Sequence, residues 1–107
     1  MAELSSTRET YGKTLLALGR ENPDIVVLDA DLSKSTMTHL FAREFPQRFF
    51  DCGVAEQNMI GIAAGLAASG KTAFASTFAV FATARCFDQL RVCLAQPDLN
   101  VKVVATH

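Results

Sequence analysis

Apolar residues along this chain fall into two arrangements, short unbroken runs and longer stretches with helical spacing. Ser6, Thr7, Arg8 and Glu9 read as a capping box, with Ser6 as N-cap and Glu9 reaching back. The helix they open carries Tyr11, Leu15, Leu16 and Leu18. It ends before Pro23, which disfavours helical geometry at Asn22. Residues 24–29 form a continuous apolar run ending in Asp29, which suits a strand covered on both faces. A polar segment, 29–38, leads into a short helix reaching Glu44, and Pro46 breaks it.

Residues 48–51 are a second strand, and Gly53 precedes a long helical stretch, 54–69, closed by Gly70. Residues 72–76 are a third strand, 77–96 a helix ending before Pro97, and 101–105 a fourth strand. Alternating helices and strands predict an α/β fold, an open and mostly parallel sheet with helices on both faces. His107 lies just past the fourth strand, where a ligand-binding loop is expected, so the domain reads as incomplete.

The chain has 107 residues, half of them hydrophobic, enough for one small domain with a core. A net charge of −1 with interspersed signs argues against a nucleic-acid or anionic-membrane partner. No apolar run is long enough to span a bilayer, and residues 1–7 lack a signal-peptide core. Three cysteines, Cys52, Cys86 and Cys93, show no CxxC spacing. They read as reduced and structural, in a cytoplasmic protein.

The helix over 54–69 is apolar nearly all round, which predicts burial. Gly61 and Gly65 lie on one face and open it to close approach by another backbone. Each costs about 1 kcal/mol against alanine, so packing should compensate. Glu56, Gln57 and Asn58 share the first turn. Glu56 either complements the helix dipole or serves a ligand in a dry site. Phe78 and Phe81, three apart, share a helical face and suit either core packing or an aromatic wall.

The run from Asp51 through Gly53, Val54, Ala55, Glu56, Gln57 and Asn58 to Gly61 and on to Ala67 resembles the pyrimidine-binding domain of transketolases. The resemblance extends over about residues 7–107, so residues 1–107 read as a partial domain of that kind, the C-terminal subunit of a split transketolase cut short. It implies thiamine diphosphate as cofactor and two-carbon ketol transfer between sugar phosphates. Glu56 occupies the position of the family's catalytic glutamate, whose carboxyl hydrogen-bonds N1′ of the cofactor's aminopyrimidine. Phe78 and Phe81 become walls of the pyrimidine pocket. A third aromatic usual in the family is Ala84 here, with Phe87 as the nearest substitute.

The same resemblance places Asp31 near the thiazolium ring and gives Arg8, Ser35 and His107 contacts to a sugar-phosphate substrate. His39 reads as a helix-surface residue. No GDG motif for magnesium and diphosphate occurs, so this chain carries no metal ligands and a partner domain or subunit must supply the magnesium. Homo- or hetero-oligomerisation is expected, with the Gly61/Gly65 helix as interface. The alternatives are a deoxyxylulose-phosphate synthase, an oxo-acid dehydrogenase E1 β-type subunit, a non-catalytic assembly subunit, or a phospho-receiver-like module using Asp29, Asp31 and Asp51.

Overall fold

The computed structural model describes residues 3–107. Its first helix, α1, spans Thr7–Glu21. The Glu9 amide donates to the Ser6 hydroxyl, so the predicted N-cap forms. Asn22 is extended before Pro23, as the steric clash with the proline ring requires. Strand β1, Ile25–Asp29, is buried along its whole length. The segment read as polar loop contains a helical turn, α2 (Ser33–Thr36), followed by α3 (His39–Glu44). His39, read as a surface residue, opens α3. Strand β2 is Phe49–Asp51, helix α4 is Glu56–Ala68, β3 is Thr72–Phe78 and β4 is Val101–Thr106.

The strands pair in the order β2-β1-β3-β4, and every pairing is parallel. Successive residues point to opposite faces, so β1 and β3 each feed two cores. On one face Val26, Leu28, Ala73 and Ala75 pack under Met59, Ile60 and Ala63 of α4, with Cys86 and Leu94 beside them. On the other, Ile25 and Val27 pack against Leu15 of α1 and Phe41 of α3. The predicted α/β sheet with helices on both faces is therefore what forms. Arg48 braces the second face. Its guanidinium donates to the carbonyls of Ile25, Gly19 and Asn22 and stacks on Phe45 at 4.2 Å.

Two expectations are corrected. The helix predicted over 77–96 starts later, because Thr77 and Phe78 stay in the ladder opposite Ala105 and Thr106. The β3–β4 connection then has wide π-helical turns at Phe81–Arg85 and Leu90–Ala95, flanking a short helix, α5 (Phe87–Gln89). Such turns insert an extra residue and are frequent at functional sites. The second correction concerns α4, which is buried on one side only. Gly61 and Gly65 are exposed, and a Cβ built at either would meet nothing within 4 Å. Ile62 on the same helix is 38% exposed.

The three cysteines are free. Burial pushes the Cys52 and Cys86 thiols up, with nearby carboxylates adding to it, so both fit the structural reading. No described helix is long and apolar enough to cross a membrane.

Gly12 shows where α1 tolerates no side chain. An added Cβ would lie 2.8 Å from both Cβ and the carbonyl oxygen of Met37. Met37 itself holds a left-handed φ of 69° and has little freedom to retreat. Gly12→Ala is expected to destabilise the chain by about 1–3 kcal/mol in denaturant unfolding. Gly61→Ala, on the open face, should instead stabilise the monomeric fold by up to about 1 kcal/mol.

Candidate functional site

All strands are parallel, so Asp29, Asp51, Phe78 and Thr106 end on one edge of the sheet. In open α/β sheets that edge is where ligands bind. The edge carries two neighbourhoods, one beyond β1 and one beyond β3 and β4.

Beyond β3, Glu56 is the first residue of α4, and it is only 4% exposed. Its Oε1 accepts from Nη1 of Arg85 at 3.0 Å. Its Oε2 is buried and has no partner. An unpaired buried oxygen costs about 1–3 kcal/mol, so this position does not contribute to stability through Oε2. Val54, Ala55, Glu56, Gln57, Asn58 and Arg85 line a cleft of about 320 Å³. The Gln57 amide donates to the Arg85 carbonyl at 2.7 Å and pins the cleft's two sides together.

Aromatic rings continue from this cleft. Arg85 lies over the Phe81 ring at 4.0 Å, and Phe81 stacks on Phe78 with centroids 5.7 Å apart. The His107 ring is 4.4 Å from Phe78. Thr77, one residue before the end of β3, has a buried hydroxyl with no partner.

Beyond β1, Asp31, Leu32, Ser33, Lys34 and Ser35 line a hollow of about 230 Å³. Arg8 donates from Nη1 to the Ser35 carbonyl at 2.8 Å. Asp31 is exposed with φ 64°, and its amide donates to Asp51. Beneath the hollow, Asp29 is fully buried. It accepts from the Leu32 amide and from the hydroxyls of Thr36 and Thr38 at 2.7, 2.5 and 2.9 Å. Burial pushes its carboxyl upward, the three hydrogen bonds oppose that, and Asp51 adds to it.

The family model for the transketolase pyrimidine-binding domain matches residues 4–107. This chain belongs to the transketolase family. It is 60% identical over 100 residues to a putative transketolase C-terminal section of Methanocaldococcus jannaschii, covering 94% of this chain and 32% of that protein. It is 46% identical over 99 residues to a 6-deoxy-6-sulfo-D-fructose transketolase subunit of a Clostridium species, covering 92% of this chain and 31% of that one. Among solved structures, a split-gene transketolase described as an inactive β4 tetramer superposes with a TM-score of 0.86 at 63% identity, over 94% of this chain and 34% of that chain. A Pichia stipitis transketolase in complex with sedoheptulose-7-phosphate gives 0.86 at 26% identity, over 99% of this chain and 17% of that chain. The chain thus spans between 17% and 34% of the length of these relatives.

Within this transketolase domain, the residues singled out from sequence divide in two. Glu56, Phe78, Phe81 and His107 form one continuous surface, although Phe78 stands on a strand and Phe81 on the turn after it. Arg8, Asp31 and Ser35 gather in the other neighbourhood. Phe87 is 70% exposed and forms no ring contact with Phe78 or Phe81, so it does not replace the aromatic absent at Ala84. Asp51 uses Oδ1 to accept from the amides of Asp31 and Gly53, a turn-bracing role rather than that of a phospho-acceptor.

Arg85 was not singled out from sequence, nor were the threonines under Asp29. Arg85 is the sole charged residue between Phe78 and Phe87, and that isolation was the available signal. Tyr11 was noted only as a helix residue. Its hydroxyl shares a 2.7 Å hydrogen bond with Ser76, tying α1 to the end of β3. Burial pushes its pKa from 10.0 to about 12, against the Ser76 bond and with help from Asp29. The folded state therefore holds the phenol proton more tightly than the unfolded chain does. This contribution is complete below pH 10 and is lost as pH rises toward about 12. Alkaline unfolding followed by circular dichroism should show wild type losing stability over that window relative to Tyr11→Phe.

Proposed function

We propose that this chain supplies the aminopyrimidine side of a thiamine-diphosphate site in a transketolase that moves a two-carbon ketol unit between sugar phosphates. The observation that carries this reading is the buried Glu56 carboxyl, with one oxygen tethered and the other lacking a partner in a cleft flanked by aromatic rings. The free Oε2 suits a hydrogen bond with a ring nitrogen, and burial keeps water from competing for it. Phe78 and Phe81 suit contact with a flat ring. When bound, the cofactor would supply the electron sink for cleaving a ketose carbon–carbon bond.

The remaining assignments follow the same reading. Asp31 faces the reacting end of the cofactor, and Arg8 and Ser35 border the hollow where a sugar phosphate would lie. Arg8 keeps further guanidinium donors beyond the one given to Ser35, which suits a phosphate. His107 offers a ring nitrogen to a sugar hydroxyl. The diphosphate and its magnesium fall to a partner chain, and the free cysteines suit a cytoplasmic enzyme. Relatives named as a section or a subunit of transketolase support a split enzyme assembled from several chains.

Reconstitution with a diphosphate-binding transketolase chain, thiamine diphosphate and magnesium tests the central role. Glu56→Ala should leave assembly intact and slow exchange of the cofactor's C2 proton by about a hundredfold or more. Exchange at the wild-type rate would remove the role. The same complex should accept sugar-phosphate donors; acceptance of pyruvate alone would favour the synthase or E1 β-type reading.

The open face of α4 is the proposed contact with another subunit. A Cβ at Gly61 meets no atom of its own chain within 4 Å and the face is exposed, so the fold should persist in Gly61→Leu. In sedimentation velocity this variant should run as a smaller species than wild type. An unchanged sedimentation coefficient would place the interface elsewhere.

A further inference from the structure

The Glu56 cleft contains a side chain whose chemistry resembles the ligand proposed for it. Arg85 presents a planar, delocalised N–C–N group with N–H donors. That group donates to Glu56 at 3.0 Å and lies over the Phe81 ring at 4.0 Å. A flat aminopyrimidine would draw on the same carboxyl group, through its unpartnered Oε2, and on the same Phe81 face that Arg85 covers. Arg85 also lines the cleft, and its side chain is half exposed, so it has room to swing outward. Its backbone sits at the end of a wide π-helical turn, while Gln57 anchors only its carbonyl.

We infer that Arg85 is a built-in stand-in for the aminopyrimidine, holding Glu56 and Phe81 in place until the ring enters and then swinging off the Phe81 face. This rests on the proposed thiamine-diphosphate reading of the cleft. The arrangement has two consequences. Glu56 avoids being buried without any partner, which would be costly before the ligand arrives. Ring binding is also weakened by the fraction of molecules in which Arg85 occupies the cleft. The structure places no other cation within salt-bridge distance of Glu56 among the described residues, so Arg85 alone partners this carboxyl before the ring arrives.

The test uses the chain and hydroxymethyl aminopyrimidine, the pyrimidine half of thiamine, in calorimetric titration. Arg85→Met retains an apolar stem and should bind this probe about fivefold more tightly than wild type, because the competitor is gone. In wild type, the Arg85 side-chain Nε–H resonance should shift on titration as the guanidinium leaves the ring. Arg85→Lys, which keeps charge without the planar fork, should bind more tightly than wild type as well. Equal or weaker binding by Arg85→Met, with binding to wild type intact, would overturn the stand-in role and leave the cleft's function standing. Absence of binding to both proteins would remove the aminopyrimidine reading of the cleft, and the stand-in role with it.

Discussion

A carboxyl group enclosed by protein at the entrance of a helix governs the candidate site. Glu56 is in place because β1, β2 and β3 run parallel and α4 begins at their shared carboxyl edge. Met59, Ile60 and Ala63 anchor the helix to the sheet, and Glu56 at its start keeps only 4% of its surface exposed. One oxygen is then satisfied by Arg85 and the other is not. Proteins rarely leave a buried oxygen unpaired, and the hydrogen bond proposed from a pyrimidine ring would supply its partner.

The two faces of the sheet divide the work. The α4 side holds the Glu56 carboxyl and the exposed glycines. The α1 face holds Tyr11, Asp29 and the Arg8–Ser35 contact. Tyr11 and Ser76 link them, since Ser76 lies in the strand that ends at Phe78. Through this bond α1 is tied to the strand that ends at the edge carrying both neighbourhoods.

Much of this was readable from the order of residues. Ser6, Pro23 and Gly70 act through local backbone sterics and hydrogen bonding, so the limits they set for α1 and α4 nearly coincide with the predicted ones. The unbroken apolar run of β1 pointed to a strand buried on both faces. Glu56, Phe78, Phe81 and His107 were gathered by resemblance, and the fold brings them onto one surface. The passage from β3 to the following helix was less legible. Residues 77–84 are small or apolar throughout, and only pairing with β4, a distant segment, keeps Phe78 extended. Arg85 meets Glu56 across 29 positions, and Thr36 and Thr38 meet Asp29 around a turn. No local periodicity encodes such contacts. The open face of α4 was misread for a related reason, because apolar composition does not say whether the covering atoms belong to the same chain.

The central claim is most directly tested by a structure of the assembled enzyme containing thiamine diphosphate. The account predicts that Glu56 Oε2 lies within hydrogen-bond distance of the pyrimidine ring nitrogen N1′ and remains shielded from solvent. A Glu56 side chain turned into bulk water, with the pyrimidine ring bound elsewhere, would contradict it.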